Sequence, residues 1–233
     1  MPATDIQVKA VIIVPAFNES RVIFEVLKSL PRRLEGVSSV DIVVIDDGSS
    51  DTTFKEAQRA NVTIVTHLLN RGLGAAIKTG LSWARKQNAD IVVTFDADGQ
   101  HNPGDIPNLI KPIILKKADL VIGSRFSSKQ RIPTDRLFIN WLANLVTFIL
   151  YGVYCSDSQS GMRAFSQKAI KVIDFKADRM EFSSEILLEA KRNNLKISEV
   201  PIKAIYTDYS RLKGQRNLNA FPVFARFLVK LLR

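Results

Sequence analysis

Short apolar runs rich in valine and isoleucine alternate with segments of helical spacing along the first half of the chain. Such runs are typical of strands buried on both faces of a sheet, and a 3.6-residue spacing is typical of helices packed on it. The alternation predicts an α/β fold with a mostly parallel sheet and right-handed crossovers. We predict strands at 8–14, 40–45, 62–66, 91–95 and 120–122, and helices at 19–34, 51–60, 74–87 and 103–117.

Two carboxylates, Asp96 and Asp98, follow the fourth predicted strand. In such sheets ligands bind beyond the carboxyl ends of the strands. Alternate residues of an extended segment share a face, so both acids can point to one cation. Mg²⁺ is usually held by one or two carboxylates together with substrate phosphates. The spacing therefore favours a metal held for a phosphorylated substrate, although a solvated turn has the same pattern.

The first two predicted strands also end in polar residues. After the first, Asn18 suits a helix N-cap and Glu19 lies near the positive end of that helix, so a plain helix start explains both. After the second, Ser50 or Asp51 suits a cap and Gly48 a turn. Capping leaves the adjacent acids at 46 and 47 without a structural role, and we expect them to be surplus to the structure.

The third and fifth predicted strands lead into glycine-containing connections. Residues 70–76 lack the full dinucleotide-binding glycine pattern, so a tight turn with close packing is the expected role. Residues 123–126 place Arg125 where its guanidinium can meet a phosphate.

Composition and charge narrow the function classes. The 233 residues carry 33 Lys+Arg against 23 Asp+Glu, and the net charge of +10 predicts attraction to nucleic acid, anionic lipid or phosphorylated substrates. No recognition helix and no aromatic-basic signature occurs, so nucleic acid is not an expected partner. A single cysteine excludes an intramolecular disulfide, and with two histidines it argues against structural zinc. Residues 1–9 lack a signal-peptide pattern, which predicts a cytoplasmic location.

Four ordered motifs resemble those of the family 2 inverting glycosyltransferases, which have the GT-A fold. They are Pro15-Ala16-Phe17-Asn18-Glu19, Asp46-Asp47-Gly48-Ser49-Ser50-Asp51, Asp96-Ala97-Asp98-Gly99-Gln100 and Gly123-Ser124-Arg125. The resemblance is strongest to the dolichol-phosphate mannosyltransferase and polyprenyl-phosphate glycosyltransferase branch, and it covers about residues 8–215. We expect a GT-A catalytic domain over 1–215 and a C-terminal amphipathic helix over 216–233.

The resemblance implies roles for the matching residues. Asp96, Asp98 and the side-chain oxygen of Gln100 would hold Mg²⁺ or Mn²⁺ against the donor pyrophosphate. Arg125 and Arg136 would face the acceptor phosphate and, with Asp98, form the catalytic set. Asp47 would accept hydrogen bonds from the base. The nucleotide-sugar pocket would be shaped by Pro15, Phe17, Glu19, Ile45, Asp47, Asp96 and Ala97.

A later segment, 206–215, matches the family's mobile loop that closes over the donor. Lys213 aligns with a lysine that binds pyrophosphate. Thr207 stands where mannosyltransferase members carry arginine, and Arg211 is the expected substitute.

An apolar stretch at 137–154 approaches the length needed to span a bilayer. Trp141, Tyr151 and Tyr154 suit a membrane interface, and the polar residues at 140, 144 and 147 share one helical stripe. We predict an interfacial amphipathic helix; the alternative is a buried core or dimer helix. Residues 221–233 are also apolar and basic, which suits anionic lipid.

Several other residues have weaker signals. Asp157 begins a segment, 157–165, that resembles the acceptor-side motif of the same branch, and a polar turn is the alternative. His101 is a candidate metal ligand, although a hydrogen bond within its loop is the simpler role. Glu181 and Glu185 lie four apart on a predicted helix and are expected to be solvated. Cys155 is expected to serve packing.

Together these features predict metal-dependent, inverting transfer of a hexose from a GDP-mannose or UDP-glucose type of donor to a polyprenyl or dolichyl phosphate. We expect the enzyme to associate peripherally with the anionic cytoplasmic face of a membrane, and homo-oligomerisation stays open. A family 2 transferase with a soluble or polysaccharide acceptor is the alternative, favoured if 137–154 is buried in protein. A non-catalytic nucleic-acid-binding module is remote, because it gives the four acids after the strands no use.

Overall fold

The computed structural model describes residues 7–127, 134–179 and 181–205. Within these ranges, one seven-stranded sheet has the order β3-β2-β1-β4-β6-β5-β7. Neighbouring strands are parallel except that β6 runs antiparallel to both β4 and β5. The predicted mostly parallel α/β sheet is confirmed. The strands are β1 Lys9–Ala16, β2 Ser39–Asp46, β3 Thr63–Thr66, β4 Ile91–Thr94, β5 Leu120–Ser124, β6 Arg163–Ser166 and β7 Ile197–Pro201.

Helices cover both faces of this sheet, because the side chains of β1 alternate between two cores. Ile12 and Val14 pack in the core that contains α1 and α4 residues. Val11 and Ile13 pack in the core that contains α3, α6 and α7 residues. In the described ranges the helices are α1 Ile23–Ser29, α2 Thr53–Arg59, α3 Leu73–Lys86, a 3₁₀-helix Pro103–Asp105, α4 Ile106–Ile114, α5 Thr134–Tyr151, α6 Gln167–Val172 and α7 Phe182–Arg192.

The first predicted helix, 19–34, is longer than the observed α1. The helix ends at Ser29, and Leu30 is extended with a ψ of 137°. Pro31 follows, and the residue before a proline is driven out of the helical region by steric clash. The fourth predicted helix, 103–117, begins as the 3₁₀-helix and ends early, at Ile114.

The sequence pattern did not identify β6 and β7. β6 begins with a buried arginine, Arg163, and ends with a half-buried serine, so it lacks an apolar run. β7 is an edge strand in which no residue is fully buried, so it lacks the continuous apolar run that marks a central strand. β6 is held by pairing with both β4 and β5, and β7 by pairing with β5.

Candidate functional site

A cleft of about 410 Å³ opens at the carboxyl ends of the adjacent strands β2, β1 and β4. Residues from three of the motifs line it together, although they lie up to 83 positions apart. Ile45, also predicted for the pocket, is fully buried in the sheet and does not line the cleft. The lining residues are Pro15, Ala16, Phe17, Glu19, Asp47, Asn70, Leu73, Ala76, Asp96, Ala97 and Asp98.

Asp46 and Asp47 are not surplus to the structure, and that expectation was wrong. Asp46 Oδ1 accepts a hydrogen bond from Ser49 N at 3.1 Å and holds the turn after β2. Asp47 accepts from the backbone N–H groups of Arg71 at 3.0 Å and Gly72 at 2.7 Å. Its Oδ1 also lies 2.6 Å from His67 Nδ1. The partner of Asp46 is local, but the role of Asp47 was missed because its partners are 20 to 25 residues away in sequence. The contact of Asp47 with a base stays a prediction.

The glycine-rich connection after β3 makes the tight, closely packed turn that was predicted. Gly72 has a φ of 102°, which favours glycine. A Cβ at Gly72 or Gly74 would collide with the backbone at 177–178. The turn places Asn70 and Leu73 in the wall of the cleft.

The turn after β1 interlocks with the turn after β2. Asn18, with a φ of 54°, accepts from Ser50 N at 2.9 Å, and its own N–H donates to Ser49 Oγ at 3.0 Å. Glu19 N donates to Thr53 Oγ1 at 2.7 Å. This hydrogen-bond network buries Glu19 at the cleft wall. Because α1 begins only after this segment, Asn18 is not its N-cap, and the helix-start explanation was wrong.

Asp96 and Asp98 both reach the cleft, and their environments drive their pKa values apart. Burial raises the pKa of Asp96, but the contact between Asp96 Oδ2 and His101 Nε2, at 3.0 Å, and nearby guanidinium groups outweigh it, so the pKa lies below its ordinary value. Burial raises the pKa of Asp98, and the charges of Asp96 and Glu19 add to this. The cleft therefore holds an anionic pair in which Asp98 is destabilised as an anion.

Gln100 orients Asp98 rather than lining the cleft. Its backbone N–H donates to Asp98 Oδ1 at 3.0 Å and its Nε2 donates to Asp98 Oδ2 at 2.7 Å. The expected hydrogen bond of His101 within its loop is the contact with Asp96, and the ring packs edge-on against Phe95.

On the other side of β4, Arg125 is clamped by a buried carboxylate. Arg125 Nε and Nη2 donate to the two oxygens of Asp157, each at 2.8 Å, and Arg125 N donates to Oδ2 at 3.0 Å. Asp157 begins the polar turn that was the alternative, since Ser160 N donates to its carbonyl oxygen at 3.2 Å, but its side chain is fully buried. Because both its oxygens are occupied, it holds the guanidinium in place. Arg136 lies in the first turn of α5, and its side chain is outside what the structure describes.

The 156–162 loop, between α5 and β6, joins these two groups of residues. Besides Asp157 it carries Gly161, where a Cβ would collide with both carboxylate oxygens of Asp96. Directly after the loop, Arg163 is fully buried and donates to Ser158 O and Ser183 O. Arg163 belongs to the segment 157–165 that resembles the acceptor-side motif, but it was not singled out, because an arginine is ordinarily on the surface.

Helix α5 has the opposite orientation to an ordinary surface helix. Its polar stripe faces the protein: Asn140 and Asn144 donate to Ser156 O at 2.9 and 2.7 Å, and Thr147 Oγ1 lies 2.9 Å from Ser184 Oγ. Seven of its large apolar side chains are exposed. We call them the outward face of α5: Leu137, Phe138, Ile139, Trp141, Leu145, Phe148 and Ile149.

Other predictions for the second half of the chain have mixed outcomes. Glu181 is buried and Glu185 accepts from the backbone of Lys176 and Ala177, so the expectation that both are solvated was wrong. Cys155 is buried in the core, as expected, and burial together with Glu199 raises the pKa of its thiol. Thr207, Arg211, Lys213 and the segment 216–233 lie outside the described residues. In the described ranges, no helix combines the length and apolarity needed to cross a bilayer.

Comparison with known sequences finds a family model and several relatives that match this chain. A family model described as glycosyl transferase family 2 matches residues 11–174. The UDP-N-acetylglucosamine–dolichyl-phosphate N-acetylglucosaminyltransferase of Methanococcus voltae is 40% identical over 240 residues, which cover 94% of this chain and 94% of that protein. The undecaprenyl-phosphate mannosyltransferase of Micrococcus luteus is 32% identical over 216 residues, covering 86% of this chain and 85% of that protein.

Comparison with solved structures supports the fold. Glucosyl-3-phosphoglycerate synthase from Mycobacterium tuberculosis, in complex with Mn²⁺, UDP and phosphoglyceric acid, superposes with a TM-score of 0.68. The two chains are 20% identical, and the match covers 88% of this chain and 73% of the other. At this identity the likeness shows the architecture alone, which is the predicted GT-A fold.

Proposed function

The chain belongs to glycosyltransferase family 2 and is a glycosyltransferase, and we propose that it transfers a sugar from a nucleotide-diphosphate donor to a polyprenyl or dolichyl phosphate. The observation that carries the proposal is the cleft in which Asp96 and Asp98 join residues that follow β1 and β2. Ligands of parallel sheets bind at this edge. Two relatives are named for lipid-phosphate acceptors and for different sugars, so we propose the acceptor class and leave the sugar among mannose, glucose and N-acetylglucosamine.

The carboxylates at the cleft suit a divalent cation as ligands. Burial and the charge of Asp96 raise the pKa of Asp98, and a bound cation would relieve this repulsion. Among the described residues, no three or more His, Cys, Asp and Glu side chains are gathered to hold a metal. Mg²⁺ usually takes one or two carboxylates and completes its shell with water and substrate phosphates. We therefore propose that Asp96 and Asp98, with Gln100 nearby, would hold Mg²⁺ or Mn²⁺ when the donor is present.

The outward face of α5 supports the lipid acceptor. A soluble acceptor is favoured if the segment 137–154 is buried in protein, but the outward face of α5 is exposed. The polar stripe of the helix is already hydrogen-bonded inside the protein. A helix that presents aromatic and aliphatic side chains outward on a chain of net charge +10 suits the surface of an anionic membrane. We propose peripheral binding of α5 at the cytoplasmic face, close to Arg125.

In the proposed reaction an acceptor phosphate oxygen attacks the anomeric carbon while the nucleoside diphosphate leaves from the opposite face. A phosphate monoester is already ionised near neutral pH, so no strong general base is needed. A divalent cation would neutralise charge on the leaving pyrophosphate as a Lewis acid. Arg125, held by Asp157, would position the acceptor phosphate, and the walls of the cleft would orient the donor. Asp157 is not suited to be a base, because both oxygens are bonded to Arg125.

The direct test is a panel of UDP-glucose, UDP-N-acetylglucosamine and GDP-mannose with polyprenyl phosphate and Mg²⁺ or Mn²⁺. We expect one donor to give a sugar product that extracts into organic solvent. Asp98→Asn should lower the rate by at least about 100-fold, and a chelator should abolish it. Asp174→Asn is the matched control, since Asp174 pairs with Lys78 on the surface. Full activity of Asp98→Asn would overturn the metal assignment, and transfer only to a water-soluble acceptor would overturn the lipid assignment.

A further inference from the structure

One loop touches both halves of the proposed site. Gly161 abuts the carboxylate of Asp96 so closely that a Cβ has no room. Four residues earlier, Asp157 clamps Arg125 through both of its oxygens. The position of the 156–162 loop therefore sets the spacing between Asp96 on the donor side and Arg125 on the acceptor side.

The loop is held from beneath by Arg163, the first residue of β6. Arg163 Nη2 donates to Ser158 O at 2.7 Å within the loop, and Nη1 donates to Ser183 O at 3.1 Å in the first turn of α7. The planar guanidinium thus fastens the loop to a helix that packs in the core. Burying a charged group is costly, and among the described residues Arg163 Nε has no hydrogen-bond partner. Simple packing therefore does not explain an arginine at this position.

The backbone of Arg163 is tied to the same point. Its N–H donates to Thr94 Oγ1 at 3.2 Å, and Thr94 Oγ1 in turn donates to Gly161 O at 2.6 Å. Thr94 is the last residue of β4, so these bonds register the loop against the strand that leads into Asp96. Residues 94 and 163 are paired partners in the β4–β6 ladder.

We propose that Arg163 is a positioning residue that fixes the 156–162 loop and thereby aligns the acceptor phosphate held by Arg125 with the donor held at Asp96. The inference rests on the proposed function. It assigns to Arg163 an effect on the chemical step, because a misplacement of about 1 Å between reacting groups can cost about 100-fold in rate. The walls of the donor cleft do not include Arg163 or the loop, and Asp96 keeps its own contact with His101 at 3.0 Å. A loop that relaxes away from Asp96 should therefore spare donor binding.

The test is Arg163→Lys, which keeps the positive charge but cannot donate to two carbonyl groups from one planar fork. We expect kcat to fall about 100-fold, while the Kd for the nucleoside diphosphate of the active donor, measured calorimetrically with the metal, is unchanged. Arg85→Lys is the matched control. Arg85 also bridges two carbonyl oxygens, those of Ile170 and Ile173, away from the cleft, so its substitution should lower the melting temperature without lowering kcat.

Thr94→Val provides a second variant that disturbs the same loop without changing a buried charge. This substitution removes the hydroxyl that donates to Gly161 O. We expect it to lower kcat, as Arg163→Lys does, and to leave the nucleotide Kd unchanged. If Arg163→Lys does not fold, Thr94→Val decides. A folded variant at either position with wild-type kcat would overturn the inference, as would an equal loss of nucleotide binding. A wild-type enzyme with no lipid-phosphate transfer would instead overturn the proposed function, and this inference with it.

Discussion

The outward face of α5 allows a quantitative prediction for membrane binding. Phe148 is 50% exposed and Ile149 is 62% exposed. Complete burial of such a side chain is worth about 1.5–3 kcal/mol, so covering the exposed part contributes about 1 kcal/mol per residue. Replacing both with serine should therefore cost about 2 kcal/mol, which is about a 30-fold fall in partition to a bilayer.

The assay is co-sedimentation with anionic liposomes in high salt, which screens the contribution of the net positive charge and isolates the apolar part. The matched control carries serine at Phe54 and Leu115, which are 42% and 52% exposed on α2 and after α4. This control should sediment like the wild type. Transfer to a long polyprenyl phosphate in liposomes should fall with binding, while transfer to a short-chain acceptor in detergent should not.

Sedimentation of the Phe148→Ser/Ile149→Ser protein at the wild-type level would refute the argument. It would mean that the exposed side chains of α5 contact something other than lipid, such as a second copy of the chain. An equal loss in the Phe54 and Leu115 control would refute it differently, because binding would then follow total apolar surface rather than this face.

Three other substitutions or treatments separate structural from functional roles. Asp47→Ala removes a buried carboxylate with charge-assisted bonds, so the free energy of unfolding should fall by about 3 kcal/mol, measured by urea denaturation, and an unchanged midpoint would contradict the structural role. Gly161→Ala should lower kcat because its Cβ displaces Asp96, whereas Gly104→Ala, whose Cβ meets only a side chain at 3.3 Å, should be silent; equal activities would show that the loop yields freely. Because burial raises the pKa of the Cys155 thiol, it should stay protonated and resist alkylation at about pH 8.5, the ordinary thiol pKa, and react once the protein unfolds; stoichiometric labelling of the folded enzyme would contradict this.

The central sheet was predictable because its strands are buried on both faces. β1, β2, β4 and β5 carry nearly continuous apolar runs, and in a parallel sheet that pattern has few alternatives. The same logic placed Asp96 and Asp98 at a common edge with Glu19. β6 and β7 were not predicted, because they are held by pairing with neighbouring strands, β4 and β5 for β6 and β5 for β7, rather than marked by their own composition.

The sequence pattern does not show which partner a polar side chain meets. The pattern of α5 showed a polar stripe at 140, 144 and 147, but helical periodicity does not say which stripe faces the protein. The backbone of Ser156 takes the hydrogen bonds of that stripe, which turns the apolar side outward. The structural role of Asp47 was missed because the backbone N–H groups that donate to it lie in a loop 24 and 25 residues away.

The antiparallel course of β6 has a consequence for how the enzyme could change its acceptor. β6 runs antiparallel between β4 and β5, so it begins at the edge of the sheet where both of those strands end. The 156–162 loop, which leads into β6, therefore lies at that edge. A mutation that adds bulk at Gly161 would also move Asp96, so natural or engineered variation beside that residue should be tightly restricted. No residue of the outward face of α5 lines the cleft, so under the proposed function lipid preference can diversify on that surface while the reaction centre stays unchanged.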